Sequence, residues 1–212
     1  MTTTWDRAPG RPRRMPVALI ALAIIVGFVV IGVMAVGGTY NSLNALDQQT
    51  QAQWAQVQNA YQRRADLVPN LVNTVRGAAN FERDTLVAVT EARARAAQPA
   101  GAQVPNDPAA FQRYQAAQDQ LGSALSRLMV VVEQYPQLHA TENFRDLQAQ
   151  LEGTENRIAV ERMRFNDAAQ AFNTRRNSFP AVIVASLFGS RFRDKSYFNA
   201  RPGAETAPVV NF

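Results

Sequence analysis

A chain of 212 residues with 47% hydrophobic residues is long enough for one membrane segment plus one domain with a real core, and its modest Gly and Pro exclude a disordered chain or an all-β pattern of short runs and turns. Cysteine is absent, which excludes disulfides, thiolate nucleophiles and Cys-based zinc sites, and the lone His139 cannot supply a His-rich metal cage or a Ser-His-Asp triad. The net charge of +5 resides mainly in the first 38 residues, where Arg7, Arg11, Arg13 and Arg14 face Asp6; the +2 that remains forms no basic stripe with interleaved aromatics, so no nucleic-acid partner is expected.

Residues 1–15 read as an arginine-rich cytoplasmic tail. Residues 16–38, "PVALIALAIIVGFVVIGVMAVGG", carry no charge. At ~1.5 Å per residue they can cross a hydrocarbon core of ~30 Å. The run exceeds the ~7–15 apolar residues of a cleaved signal peptide, so an uncleaved transmembrane helix is expected. Four arginines precede it and no Lys or Arg follows until Arg63, which places the N-terminus in the cytoplasm and the rest of the chain outside it.

Residues 39–190 read as a helical bundle with a membrane-proximal stalk. From Tyr40 to Ala96, Leu43, Leu46, Thr50, Trp54, Val57, Tyr61, Val68, Leu71, Val75, Ala79, Leu86 and Val89 recur at steps of three and four, the mark of one helical face. The Pro- and Gly-containing loop 98–109 must end that helix. A second helix over 110–135 uses Tyr114, Ala117, Leu121, Leu125, Leu128 and Val132 and stops at Pro136. A third begins near Thr141, runs through Phe144, Leu151, Ile158, Phe165, Phe172 and Phe179, and ends at Pro180. "AVIVASLFG" caps one end of the bundle, and residues 191–212 read as an irregular tail. The expected fold is all-α: an N-terminal transmembrane helix, an antiparallel bundle of three long helices, and a short C-terminal helix.

Within "YQRRADLVPNLV", residues 61–72, Pro69 cannot donate to residue 65, so a kink is expected there. The second helix spans about 39 Å, whereas 40–96 would span about 85 Å, so the first helix outruns its partner near residue 70. The apolar stripe is about as narrow as a two-helix coiled-coil seam before residue 66 and widens from Leu67 onward, where a second packing partner is gained. Arg63, Asp66 and Asn70 share the opposite face, where Arg63 and Asp66 can pair in solvent; Arg64 alone sits at the stripe's edge. The segment reads as a joint between stalk and bundle.

In "TENRIAVERMRFND", residues 154–167, Thr154 and Arg162 fall on the apolar face, Glu155 and Asn166 on its flank, and Asn156 and Asp167 outward, with Arg157 in the same polar cluster. These groups read as hydrogen-bonded pairs that fix helix register, since no two carboxylates are forced together and no phosphate loop, HExxH or GxSxG occurs. Leu43, Trp54, Val57 and Tyr61 would form an exposed seam for self-association or a protein partner, unless the third helix or the C-terminal tail covers them.

The segments "YNSLNALDQQTQAQWAQVQNAYQRRADLVPNLVNTVRGAANFERDTLVAVTEARA", "QYPQLHATENFRDLQAQLEGTENRIAVERMRFNDAAQAFNTRRNSFP" and "SLFG" resemble the LemA family of bacterial single-span membrane proteins. "RRADLVPNLV" and "TENRIA" are its specific motifs, while His139 and Met163 depart from the residues the family leads one to expect. The resemblance implies a helical bundle on a membrane anchor and implies no agreed enzymatic activity or cofactor. It points to membrane organisation or quality control through partners, since some similar proteins take part in building magnetosome membranes and genes of others lie beside those of membrane metalloproteases.

A membrane-anchored scaffold or adaptor acting through a protein partner or as a homo-oligomer is therefore the expected function, with no catalytic, metal or cofactor residue. The alternative is an extracytoplasmic small-molecule or anion sensor using Arg64, Glu155, Arg162 and Asn166. Capture of the terminal "VVNF" by a peptide-binding domain is a narrower idea, set against docking of the tail on its own bundle.

Overall fold

The computed structural model describes residues 17–77, 82–98, 101, 103–105 and 107–199. Helix α1, Val17–Arg76, is a single element of 60 residues, so the apolar run and the first bundle helix are continuous. Its apolar portion is exposed throughout and has the length and composition of a membrane span. Helices α2 (Arg83–Ala96), α3 (Pro108–Val132), α4 (Pro136–His139), α5 (Glu142–Asn177) and α6 (Ala181–Leu187) follow, then a 3-10 turn, Gly189–Phe192. The described residues contain no strand, in keeping with the all-α expectation.

The expected single helix over 40–96 is corrected: it ends at Arg76 and resumes at Arg83. Arg76 in the last turn and Gly77 just beyond it are the usual stop signals, and the apolar periodicity running on past them had hidden the break. Pro69 does not interrupt α1. The Ala65 carbonyl, four residues back, has no proline N–H to accept from; Arg93 Nε of α2 supplies a replacement donor at 2.8 Å. The second partner expected beyond Leu67 is therefore α2, folded back along the distal end of α1.

Asp107 starts α3 by accepting from the amides of Ala109 and Ala110, with Pro108 in the first turn where its missing N–H costs nothing. The second helix is thus two residues longer at its start than expected and three shorter at its end, because Pro136 opens α4 rather than closing α3. α5 begins and ends within two residues of expectation, and Pro180 follows it.

The core lies in three layers along α1. The distal layer joins Val68, Leu71, Val75, Val89, Leu121 and Leu128 from α1, α2 and α3 with Phe144 and Leu151 of α5. The middle layer is aromatic: Trp54 with Phe111, Phe165 and Phe198. The layer nearest the apolar run packs Leu43 against Phe172, Ala181, Ala185 and Phe192. Pairing of Val75, Trp54 and Leu43 with Phe144, Phe165 and Phe172 in turn shows α5 running antiparallel to α1 along its whole bundle length.

Candidate functional site

Between the distal and middle layers lies a polar junction. Arg64, 1% exposed, sends Nη1 to Glu155 Oε1 of α5 at 2.9 Å and Nη2 to both the carbonyl (2.9 Å) and the Oε1 (2.8 Å) of Gln118 on α3. Gln118 Nε2 then donates to the Ala96 carbonyl at the end of α2, 2.9 Å away. One side chain thereby ties α1 to α3 and α5 directly and to α2 through Gln118. A guanidinium suits this position because its planar fork serves several acceptors at once without losing charge.

One turn nearer the apolar run, Arg162 Nε donates to the Tyr61 hydroxyl at 2.6 Å and Nη2 to Asp119 Oδ1 at 2.8 Å, with the guanidinium 4.8 Å from the Phe198 ring centre. Burial pushes the Tyr61 phenol above its ordinary 10.0, and the Arg162 and Arg64 charges only partly oppose it. Burial and the neighbouring Tyr61 push Tyr114 up as well. An acid whose folded pKa is raised stabilises the fold fully below its unfolded value, and that contribution is lost as pH climbs through the folded value. Stability is therefore expected to be level in neutral solution and to fall above about pH 10, the unfolded phenol value. Urea melts at pH 8–11 with absorbance at 295 nm would check this, and Tyr114→Phe should flatten the alkaline slope.

The segment after the 3-10 turn, residues 193–199, is an extended strap gripped by side-chain amides. Asn173 donates to the Lys195 carbonyl (2.9 Å) and accepts from its amide (2.8 Å). Asn166 does the same for Phe198, both at 2.9 Å, and Gln115 for Asn199 at 3.2 and 3.3 Å. Each amide presents one donor and one acceptor to one residue's backbone, the pairing a neighbouring strand would provide. Two strap side chains enter the core: Phe198 joins the aromatic layer, 4.8 Å from Phe111, and Lys195, the chain's one lysine, pairs with Asp47 at 2.7 Å.

This geometry corrects the exposed seam. Leu43, Trp54 and Val57 are 0% exposed and Tyr61 3%, covered by α3, α5, α6, the 3-10 turn and the strap. Arg64, at the edge of the stripe, is buried, and its head reaches partners, Glu155 and Gln118, rather than water. Asp66 accepts from Gln62 at 2.7 Å instead of pairing with Arg63, and Arg63, Pro69 and Asn70 face outward. In α5, Glu155, Arg162 and Asn166 join the network, whereas Asn156 and Arg157 stay exposed, Arg157 reaching Glu161 at 3.8 Å. Sequence reasoning missed Asp47, Gln115, Gln118, Asp119, Asn173 and Lys195. Gln115 and Gln118 carried a signal, being polar at i and i+3 beside the apolar stripe of α3. Residues 200–212, including "VVNF", lie outside the described residues.

An open groove of about 590 Å³ runs past Glu155, Ile158, Arg162, Met163, Asn166 and Phe198. Of its polar groups, Glu155, Arg162 and Asn166 already hold other parts of the chain, Asn156 and Asp167 are exposed on its rim, and Arg64 does not line it. Among the described residues no group of three His, Asp or Glu is placed to hold a metal ion.

The profile of the LemA family matches residues 53–212, three-quarters of the chain, including both polar segments and the strap. The chain belongs to the LemA family. Beyond the matched segment, similarity of this LemA chain extends through the apolar run. The magnetosome protein MamQ of Magnetospirillum gryphiswaldense is 27% identical over 222 residues, covering 97% of this chain and 80% of its own. Magnetosome proteins MamQ 1 and MamQ 2 of Paramagnetospirillum magneticum are each 27% identical over 225 residues, with the same coverage. The segments "RRADLVPNLV" and "TENRIA", both inside the matched range, hold the two partners of the part-buried ion pair, Arg64 and Glu155.

Proposed function

We propose that this protein is a membrane-anchored scaffold or adaptor, not an enzyme, whose bundle stands outside the cytoplasm and binds an envelope protein or further copies of itself. The observation that carries the reading is the continuity of α1: one helix passes from the apolar run through all three core layers, so the bundle is a rigid extension of the anchor, with no linker between them. Rigid coupling suits a part that sets the height and orientation of a partner. The positive-inside asymmetry supports the orientation, and likeness to proteins named for the magnetosome supports a role in membrane organisation.

The sensor reading is less well supported. Most donors that a ligand would use are already engaged: Arg64 Nη1 and Nη2, Arg162 Nε and Nη2 and the Asn166 amide bond to Glu155, Gln118, Tyr61, Asp119 and the strap, and the one buried donor left over, Arg64 Nε, lies inside the bundle and does not line the groove past Phe198. With the seam buried, a partner must use other surface, and a groove of about 670 Å³ at the distal end, lined by Thr74, Tyr135, Gln137 and Leu138, is the favoured place. A photo-crosslinking residue at Gln137, activated in native membranes, is expected to give one defined stoichiometric product, identified by mass spectrometry. No product there, nor with crosslinkers spread over the rest of the bundle, would overturn the adaptor reading.

A further inference from the structure

The described residues beyond the apolar run expose ten large hydrophobic side chains, and five of them crowd into residues 179–188: Phe179 (80%), Val182, Ile183, Leu187 (72%) and Phe188. The other five are scattered over α2, α3, α5 and the strap, as isolated exposed apolar residues usually are.

The position of the cluster says what covers it. Ala181 and Ala185 turn inward against Leu43, while the Phe188 ring lies 4.9 Å from that of Tyr40. These contacts pin α6 to the stretch Tyr40–Leu46 of α1. Gly38 ends the apolar run, so at ~1.5 Å per residue α6 sits about 3–12 Å beyond it along the helix axis. The headgroup layer of a bilayer occupies roughly the first 5–8 Å outside the hydrocarbon core on each side. Residues 179–193, "FPAVIVASLFGSRFR", contain no acidic residue and two arginines. Both arginines are exposed, and Arg191 is steered toward α1 by Asn44 Oδ1 at 2.9 Å and by the Tyr40 ring, 5.7 Å away. Gly189, with φ +49°, allows the tight turn between the apolar face and Arg191, and Arg193 follows two residues on.

We propose that α6 and its flanks form a second membrane contact. Phe179, Val182, Ile183, Leu187 and Phe188 enter the boundary between headgroups and acyl chains of the bilayer that α1 crosses, and Arg191 and Arg193 meet the headgroup phosphates. An apolar face with flanking cations is the form such interfacial helices take. The α1 span already holds α6 at that depth, so a short helix suffices without anchoring strength of its own. The contact fixes the tilt of the bundle, because α6 also packs on α5. A lipid surface is favoured over a protein because the patch is continuous with the span. The inference rests on α1 as a span and not on the adaptor reading.

The absence of cysteine makes single-site labelling clean. Full-length Leu187→Cys, carrying an environment-sensitive fluorophore, would be reconstituted in vesicles of three parts phosphatidylcholine to one part phosphatidylglycerol. Val29→Cys in the span and Val130→Cys on α3 serve as references. An apolar face ~5–10 Å deep should give a blue-shifted emission and about a twofold loss of fluorescence to a shallow-chain nitroxide lipid at position 187, and neither at 130. A water-like, unquenched probe at 187 would overturn the proposal. So would a shielded probe that only energy transfer to a second labelled copy reports, since a protein would then cover the face. Failure of a deep nitroxide to quench position 29 would remove the span, and this proposal with it, while crosslinking at Gln137 would remain a separate test of the adaptor.

Discussion

Replacing Arg64 by Ala is expected to destabilise the bundle by about 3 kcal/mol, at the low end for breaking a buried ion pair. Gln118 Oε1 loses its donor at a buried site, where an unsatisfied group costs about 1–3 kcal/mol, while the Gln118 carbonyl loses the second of its two bonds and keeps the helical one. Glu155 keeps 31% of its side chain exposed, so water takes over part of Arg64's role there, which is why the upper end is not reached. For a domain of this size the loss corresponds to roughly 6–12 °C in Tm, read by circular dichroism of the full chain in detergent. Arg64→Lys should rescue little, since one ammonium on a flexible stem cannot span Glu155 and Gln118 together. Arg64→Met keeps the packed stem, and stability equal to the parent in that variant would show that the hydrogen bonds contribute nothing net.

Phe198→Ala is the other change with a large expected effect, about 3–5 kcal/mol, the range for emptying an aromatic from a packed core. Phe198 is the strap's contribution to a cluster in which its ring lies 4.8–6.1 Å from those of Phe111, Phe165 and Trp54. Its loss would open the cluster to water and loosen the strap between the Lys195 and Asn199 clamps. The chain has two tryptophans, so in a Trp5→Phe background the emission of Trp54 reports this directly, and a red shift is expected alongside the lower Tm. Asn166→Ala should cost less, about 1–2 kcal/mol, because the two bonds it makes to the Phe198 backbone are only part-buried. An unshifted Trp54 emission in Phe198→Ala would mean that the strap is dispensable to the aromatic layer.

Much of the fold was legible because it follows from local patterns. The apolar run, the helical stripes, the loop at 98–109 and the prolines at 136 and 180 each act within one or two turns of chain, through propensity and periodicity. The break at Gly77 was misread because periodicity continues across it into Leu86 and Val89, and a helical face carried over a turn looks unbroken in one dimension. Arg64 and Glu155 were brought together only as members of the alternative sensor site, not as an ion pair, since 91 residues separate them.

The sequence by itself determined the long apolar helix, the all-helical class and the exclusion of cysteine chemistry, all properties of composition or of short-range order. Only the tertiary structure decided that Leu43, Trp54, Val57 and Tyr61 are core rather than contact surface. A stripe on one helix states that something covers it, but what covers it depends on how distant segments return. Here the cover includes a strap after residue 192, too short and irregular to carry a periodic signal, held by amides whose partners are backbone groups that no side-chain pattern can announce. Packing also left α6 with its apolar side outward beside the end of the apolar run, the observation behind the proposed lipid contact.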